Sequence, residues 1–590
     1  MAIRASTHQS IATAPASAHT RVSHAPRPMT GAQILCAALE QEGVEIIFGY
    51  PGGTIMPFYD ALTTSGLRHA LVRHEQAAAH AADGYARATG RVGVCVATSG
   101  PGATNLVTGI ATAFMDSVPM VAITGQVACR MIGTDAFQET DIIGVTHPIT
   151  KHSIQVTSVD ELADAVHEAF AIARAGRPGP VLLDVPKDVQ EAMGYAPEPW
   201  SPEPPRQPAP TARFDEAIRR AAAMIDGAER PIIIAGHGVI ISGAYAQLRA
   251  FAEKSGAPVV TTLLGISAIP ESHPLAVGMP GMHGRASVNH AIYESDVIVA
   301  VGMRFDDRVT GVPQRFAPHA RIIHIDIDPA EIGKVFIPEE PIVADAGVAL
   351  EALTAAISHR QRTEWIARIG SRRDERATDS MGHATTSVTP TPDAILAAIR
   401  RATDGRAVVI SDVGQHQMWV ARHYGYDMPN THLSSGGLGT MGFALPAAMG
   451  AAIGRPDEPI WVVAGDGGIQ MNIQELATIV ALGLPIKVAI FNNGYLGMVR
   501  QWQEFFLERN YSETRISGPD YVKLAEAYGA TGYQIRAAGE VTAAVERAMR
   551  VDGPVIIDFI IEEEANVYPM VAQGKANIEM IHPRREAHHG

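Results

Sequence analysis

Short, continuously apolar runs rich in Val and Ile recur along the whole chain, each followed by an Ala- and Leu-rich stretch of helical length. A strand that is apolar at every position has both faces buried, and strands that alternate with helices run parallel to one another. The runs at 92–97, 120–124 and 181–185 form a first set. Those at 231–235, 258–262, 296–301 and 321–326 form a second, and those at 407–411, 460–464, 486–491 and 555–561 a third. The fold class is therefore α/β, with three doubly wound parallel-sheet domains. Residues 196–212 are crowded with proline, which continues neither a helix nor a central strand, and the polar stretch 370–393 reads as a second linker. The expected division is a tail at 1–28 and domains at 29–195, 213–369 and 393–590.

Composition removes some functions. A formal net charge of −15 disfavours nucleic acid and anionic membrane surfaces as partners. Cys36, Cys95 and Cys129 are too few and too scattered for a disulfide framework or a zinc site, so a reducing compartment is expected. No apolar run reaches the roughly 20 residues that span a bilayer. The segment 1–28 carries Arg4, Arg21 and Arg27 without an acidic residue. It reads as a disordered bacterial tail on a cytoplasmic protein, and as a plastid address only if it is a transit peptide.

Ligands of parallel sheets collect beyond the carboxyl ends of the strands. There the run at 460–464 ends in Gly465-Asp466-Gly467-Gly468, ahead of a helix-forming stretch at 471–482, and the run at 486–491 ends in Asn492-Asn493. Glycines let backbone approach an anion, a helix start offers free N–H groups, and an Asp beside an Asn offers hard oxygens for Mg²⁺. Gly-Asp-Gly alone is more often a capped turn. Followed by 24 residues, 468–491, and then Asn-Asn, it resembles the thiamine diphosphate fingerprint.

That resemblance implies a magnesium ion held by Asp466, Asn493 and the backbone oxygen of Tyr495. It implies cofactor contacts from Gly467, Gly468, Gln415, His416, Gln417, Met418, Gly439 and the bulky Met441. Residues 74–87 read as a helix with Glu75 in its first turn, flanked by alanines that give it little polar company. A carboxylate in apolar surroundings has a raised pKa and can share a proton with a ring nitrogen. On its own Glu75 is simply an acid complementing a helix dipole. The surrounding Arg-His-Glu-Gln-Ala-Ala-Ala-His run resembles the glutamate helix of the thiamine diphosphate enzymes. In them the glutamate of one subunit faces the diphosphate site of another, which implies a homodimer or homotetramer.

Within that superfamily, further motifs resemble the acetohydroxyacid (acetolactate) synthase large-subunit family over nearly the whole chain. The Phe48–Gly53 turn, written FGYPGG, contains Gly52 and Gly53, either of whose amides could donate to a developing oxyanion. The GTDAFQET loop carries Phe137 and Gln138, and the DVPKD motif carries Lys187. The GMRFDDRVTG motif carries Gly302, Arg304, Asp306 and Arg308, and the resemblance assigns Arg308 both to FAD and to the carboxylate of the second keto acid. Met498 and Trp502 would meet the alkyl group of the acceptor. FAD, in a structural and non-redox role, would be held by Arg177, Gly236, Gly238, Thr262, Leu263, Gly281, Met282, His283, Asp326, Ile327 and Asp345 as well.

The implied activity decarboxylates pyruvate and transfers its hydroxyethyl unit to pyruvate or 2-ketobutyrate, the first common step of branched-chain amino acid biosynthesis. A small regulatory subunit is an implied partner. A pyruvate oxidase, a glyoxylate carboligase without the glutamate, a FAD-independent synthase without the Arg304–Arg308 motif, and a non-catalytic cofactor-binding scaffold are the competing readings. One residue departs from the family pattern. Ala128 stands where a proline is usual, in a position that lines the herbicide channel, so weakened sulfonylurea inhibition is expected.

Overall fold

The β-branched runs become the centres of three six-stranded parallel sheets. The computed structural model describes residues 27–202, 204, 213–380 and 388–583, and the tail and most of the proline-rich stretch lie outside them. The first sheet comprises β1 (Ile46–Gly49), β2 (Arg68–Leu71), β3 (Gly93–Ala97), β4 (Met120–Gln126), β5 (His152–Gln155) and β6 (Pro180–Pro186), in the order 2-1-3-4-6-5. The second comprises β7 (Pro231–Ala235), β8 (Val259–Thr261), β9 (Ala276–Gly278), β10 (Val297–Val301), β11 (Arg321–Asp326) and β12 (Glu340–Val343), in the order 9-8-7-10-11-12. The third comprises β13 (Val408–Ser411), β14 (His432–Ser434), β15 (Ile460–Gly465), β16 (Lys487–Asn492), β17 (Thr531–Ile535) and β18 (Val555–Ile560), in the order 14-13-15-16-18-17.

Counted from its own first strand, the third sheet repeats the order of the first. The middle sheet instead runs 3-2-1-4-5-6, the dinucleotide-binding order, with its switch point between β7 and β10. The central strands β4, β6, β7, β10 and β15 are buried at every position, as doubly covered strands must be.

The first and third domains share one core. Helix α1 (Glu75–Thr89) lies along the later helix Ala444–Gly454, and both are built largely of small residues. The backbones come so close that a Cβ on Gly84 would stand 2.0 Å from the carbonyl oxygen of Ala447, and one on Gly450 would stand 1.9 Å from that of Ala81. Any side chain at either glycine would drive the helices apart.

Two expected boundaries change. The stretch 370–393 is not linker throughout, because helix α2 (Thr363–Ser380) runs through its first part. Trp365 and Ile369, one turn apart, bury the apolar face that anchors this helix. The stretch 471–482 is not one helix: a 3₁₀ turn, Ile473–Glu475, leads into α3 (Leu476–Ala481).

Candidate active site

Asp466 and Asn493 follow the neighbouring strands β15 and β16, and the turns they occupy touch. The Gly494 amide donates to Asp466 Oδ2 at 2.9 Å, and the Tyr495 amide to Asn493 Oδ1 at 3.2 Å. The Asn493 amide donates to Gln415 Oε1 at 3.4 Å, and Gln415 donates onward to Gln501 Oε1 at 2.8 Å. Asp466 and Asn493 are both buried, and burial pushes the Asp466 carboxyl up to about 7. A small cavity here is lined by Asp466, Gly467, Gly468, Asn493, Tyr495, His416 and Met441.

His416 is buried, its ring pushed down to about 3 by loss of solvent, and its Nε2 has no hydrogen-bond partner in the chain. Glycines crowd the same ring, since a Cβ on Gly414 would stand 2.8 Å from its Cε1 and one on Gly465 would stand 3.0 Å from its Nδ1. Hard oxygen donors, glycine backbone and an unpaired buried ring nitrogen suit a magnesium-bound diphosphate.

A larger cavity of about 690 Å³ adjoins this one and shares Val413, Gly414, Met441, Met498 and Val499 with it. It runs along the carboxyl ends of the middle sheet. Its lining includes Arg177, Gly238, Thr262, Leu263, Met282, His283, Gly302, Arg304, Asp306, Arg308, Asp326, Ile327 and Asp345, together with Gln417, Met418, Gly439, Met441, Met498 and Trp502. The volume lies inside the range of about 300–1,000 Å³ usual for ligand sites. At the switch point the backbones almost touch, because a Cβ on Gly238 would stand 2.7 Å from the Gly302 Cα, while Gly302 itself has φ +57°.

Two of the expected cofactor glycines do not line this cavity. Gly236 packs under the carbonyl oxygen of Gly302 and Gly281 under that of Arg308, so both shape the loops from behind. Asp306 caps the turn that carries Arg308, accepting from the Arg308 and Val309 amides at 2.9 and 3.2 Å. Arg308 itself is more than half exposed and its Nη1 touches Met282 Sδ at 3.4 Å. Trp502 and Met498 lie one turn apart on α4 (Gly497–Phe506), which directs both into the cavity.

The first-domain residues gather elsewhere. Glu75 opens α1, and the carboxylate is not without polar company as the alanines implied: Asn105 Nδ2 donates to its Oε2 at 2.9 Å. Around it, a Cβ on Gly102 would stand 3.2 Å from Glu75 Oε1, one on Gly52 2.5 Å from Thr98 Cβ, and one on Gly100 2.9 Å from the carbonyl oxygen of Gln138. Glu75, Gly52 and Gln138 thus share one rim. Phe137 projects from it, 88% exposed, and Lys187 stands out at 3.9 Å from Glu191. None of these residues lines either cavity of the single chain.

The sequence reading passed over several residues that build the site. Asp412, directly after β13, is buried and pushed up to about 7 by that burial. It accepts from the Val413 amide at 2.7 Å and the Gly442 amide at 2.9 Å, which fixes the loop bearing Met441. Its position at a strand's carboxyl end is the same signal that identified Asp466. Asn105 and Glu475 carry no motif that would have revealed them.

A diphosphate-type site on the third sheet, a dinucleotide-type cavity on the middle sheet and a carboxylate rim on the first define a three-domain cofactor-dependent α/β enzyme. The comparisons agree. Residues 29–145, 218–353 and 412–559 match the N-terminal binding, central and C-terminal binding domains of thiamine pyrophosphate enzymes. The acetolactate synthase large subunit of Corynebacterium glutamicum is 48% identical over 581 residues, covering 95% of this chain and 91% of the relative. That of Parasynechococcus marenigrum is 49% identical over 95% and 92%. The isozyme 2 large subunit of Escherichia coli is 45% identical over 94% and 99%. The chain belongs to the acetolactate synthase large-subunit family of thiamine pyrophosphate enzymes.

At Ala128, φ is −54°, inside the range a proline ring imposes. Ala128→Pro should therefore be accepted, leave turnover within about twofold, and stabilise by roughly 0.4–1 kcal/mol through the unfolded chain. Sulfonylurea inhibition should strengthen at least severalfold. An unchanged inhibition curve in the folded variant would remove Ala128 as its determinant.

Proposed function

We infer that this chain carries out the reaction of its relatives, decarboxylating pyruvate and delivering the resulting two-carbon unit to a second 2-keto acid, pyruvate or 2-ketobutyrate. The observation that carries the reading is the adjoining pair of cavities. The diphosphate-type residues, the Arg308 motif and the Met498–Trp502 face meet around shared walls. Thiamine diphosphate, when bound, supplies the electron sink for loss of carbon dioxide. The protein supplies position, charge and exclusion of water.

Asp466, Asn493 and the Tyr495 backbone oxygen would hold Mg²⁺. Gln415, His416, Gln417, Met418, Gly467 and Gly468 would hold the diphosphate, with Gly439 and Met441 supporting the rings. Glu75 would share a proton with the pyrimidine nitrogen, and the Gly52 amide would donate to the substrate oxyanion. Phe137, Gln138 and Lys187 would close the mouth. Arg308 would bind the acceptor carboxylate while FAD, in a structural role, fills the larger cavity. Because the Glu75 rim lies outside both cavities of one chain, the reading requires at least a dimer in which Glu75 of one copy serves the Asp466 site of another. A small regulatory subunit and a cytoplasmic location follow from the same family reading. Among the described residues no helix is long and apolar enough to cross a membrane.

Competition between pyruvate and 2-ketobutyrate, with and without FAD, tests this reading. One methylene buried against Met498 and Trp502 is worth about 1–3 kcal/mol, so 2-ketobutyrate should win by roughly tenfold or more. Trp502→Leu should reduce that preference severalfold while acetolactate still forms. No condensation product in the presence of all three cofactors would refute the reading.

A further inference from the structure

The third domain grips the segment that leads into the glutamate helix of its own chain. Glu475 is fully buried, and its Oε1 accepts the backbone N–H of Arg73 at 2.9 Å, a bond between residues 402 positions apart. Three residues on, in α3, Thr478 Oγ1 donates to the carbonyl oxygen of Leu71 at 2.9 Å and stands 3.1 Å from Glu475 Oε2. The Arg73 guanidinium returns to this cluster, donating to the Leu71 oxygen at 2.7 Å. Glu475 and Thr478 therefore hold both the end of β2 and the residue two places before Glu75. Between them stands His74, whose Nδ1 caps α1 by accepting from the Gln76 amide at 3.1 Å.

The gripping residues belong to the same short segment as the diphosphate site. It begins at Asp466. Within it, Asn472 Nδ2 donates to the Gly442 carbonyl oxygen at 2.8 Å, next to Met441. It ends at Glu475 and Thr478. A buried carboxyl is expensive unless its oxygens are hydrogen-bonded. Here the partner is a main-chain amide whose placement sets the start of α1.

We propose that Glu475 is a positioning residue for Glu75, fixing the entry to the glutamate helix against the chain's own metal-binding segment. This rests on the reading of Glu75 given above. In a shared site, Glu475 then ties the diphosphate site that a chain builds to the carboxylate that it lends to its neighbour. A displacement of about 1 Å in a reacting group costs on the order of 100-fold, so a loosened helix start should be visible in the chemistry.

The test uses the full-length protein with Mg²⁺ and thiamine diphosphate. Three quantities are measured: hydrogen–deuterium exchange at C2 of the bound cofactor by quenched NMR, cofactor affinity by fluorescence titration, and amide exchange of residues 71–76 without cofactor. Glu475→Ala should slow C2 exchange about 10- to 100-fold, raise amide exchange at 71–76, and leave cofactor affinity within threefold. Glu475→Gln retains an oxygen for the Arg73 N–H and should stay within threefold of wild type in all three. Should Glu475→Ala fail to fold, Thr478→Val, which keeps shape and deletes the second tether, should slow C2 exchange severalfold. Wild-type C2 exchange in the alanine or valine variant, or equal slowing by alanine and glutamine, overturns the proposal. Wild-type exchange in Glu75→Gln would instead overturn the reading of Glu75 itself.

Discussion

Glu75→Gln should lower kcat by about 10²- to 10⁴-fold, the usual contribution of a placed acid–base group. Glutamine matches the shape of glutamate and keeps an oxygen for the Asn105 amide that now donates to Oε2 at 2.9 Å, so the helix start and the rim with Gly52 and Gln138 should survive. What it cannot do is take and return a proton at a ring nitrogen. The loss should therefore fall on turnover, with thermal stability unchanged and cofactor affinity shifted far less than the rate. Colour development from acetoin, after acidification of a pyruvate reaction, measures the rate, and a titration with Mg²⁺ and thiamine diphosphate measures the affinity. Full activity in a folded Glu75→Gln protein would defeat both the mechanism and the dimeric site built on it.

The legible part of the fold was its centre. The run 231–235 coincides with β7, and the run 296–301 matches β10 to within one residue, because strands covered on both faces must be apolar at every position. The strands that escaped are mostly edges: β2, β5, β9, β12, β14 and β17 each close one side of a sheet. Several of these, such as His152–Gln155 and Thr531–Ile535, are only partly buried and carry polar side chains that a loop would also carry. β1 was missed for another reason. Its four buried residues run directly into the Tyr50-Pro51 turn and show too little length to separate strand from turn. Helix α2 is hidden in the sequence because its apolar pair, Trp365 and Ile369, precedes the polar window 370–393.

The site divides in the same way. Asp466 and Asn493 are legible as candidates because hard oxygen donors at the ends of neighbouring strands form a recognisable pattern. Glu75 was visible only through the wider run around it. Asn105, Asp412 and Glu475 act by holding other groups, and a residue that serves through a backbone amide 402 positions away leaves no local pattern. The separation of the Glu75 rim from both cavities was likewise beyond any spacing rule, because it depends on how whole domains pack.

Asp466→Asn should stabilise the metal-free protein while removing its cofactor dependence. The carboxyl is 3% exposed, and burial raises it from an ordinary 3.8 to about 7. The native state therefore holds this proton more tightly than the unfolded chain does. Between about pH 4 and pH 7 the unfolded chain releases the proton first, so this group's contribution to stability falls as pH rises through that window. Asparagine has no proton to lose, and its side-chain oxygen can still accept from the Gly494 amide. The advantage of the variant should thus be small near pH 4, grow to on the order of 1–4 kcal/mol by pH 7, and then level off. Denaturant unfolding in the presence of a chelator, at pH 5 and pH 7.5, measures it. Mg²⁺ and thiamine diphosphate should reverse the ranking. A ligand at 100 times its Kd adds about 2.7 kcal/mol to the protein that binds it, and the variant, with a neutral oxygen where the ion needs an anionic one, should gain almost nothing. Such an exchange of stability for binding is expected where an acid is buried to receive a cation. Equal stability of the two metal-free proteins at pH 7.5 would show that burial does not hold the Asp466 proton, and equal stabilisation of both by the cofactor would show that Asp466 is not the residue that holds the metal.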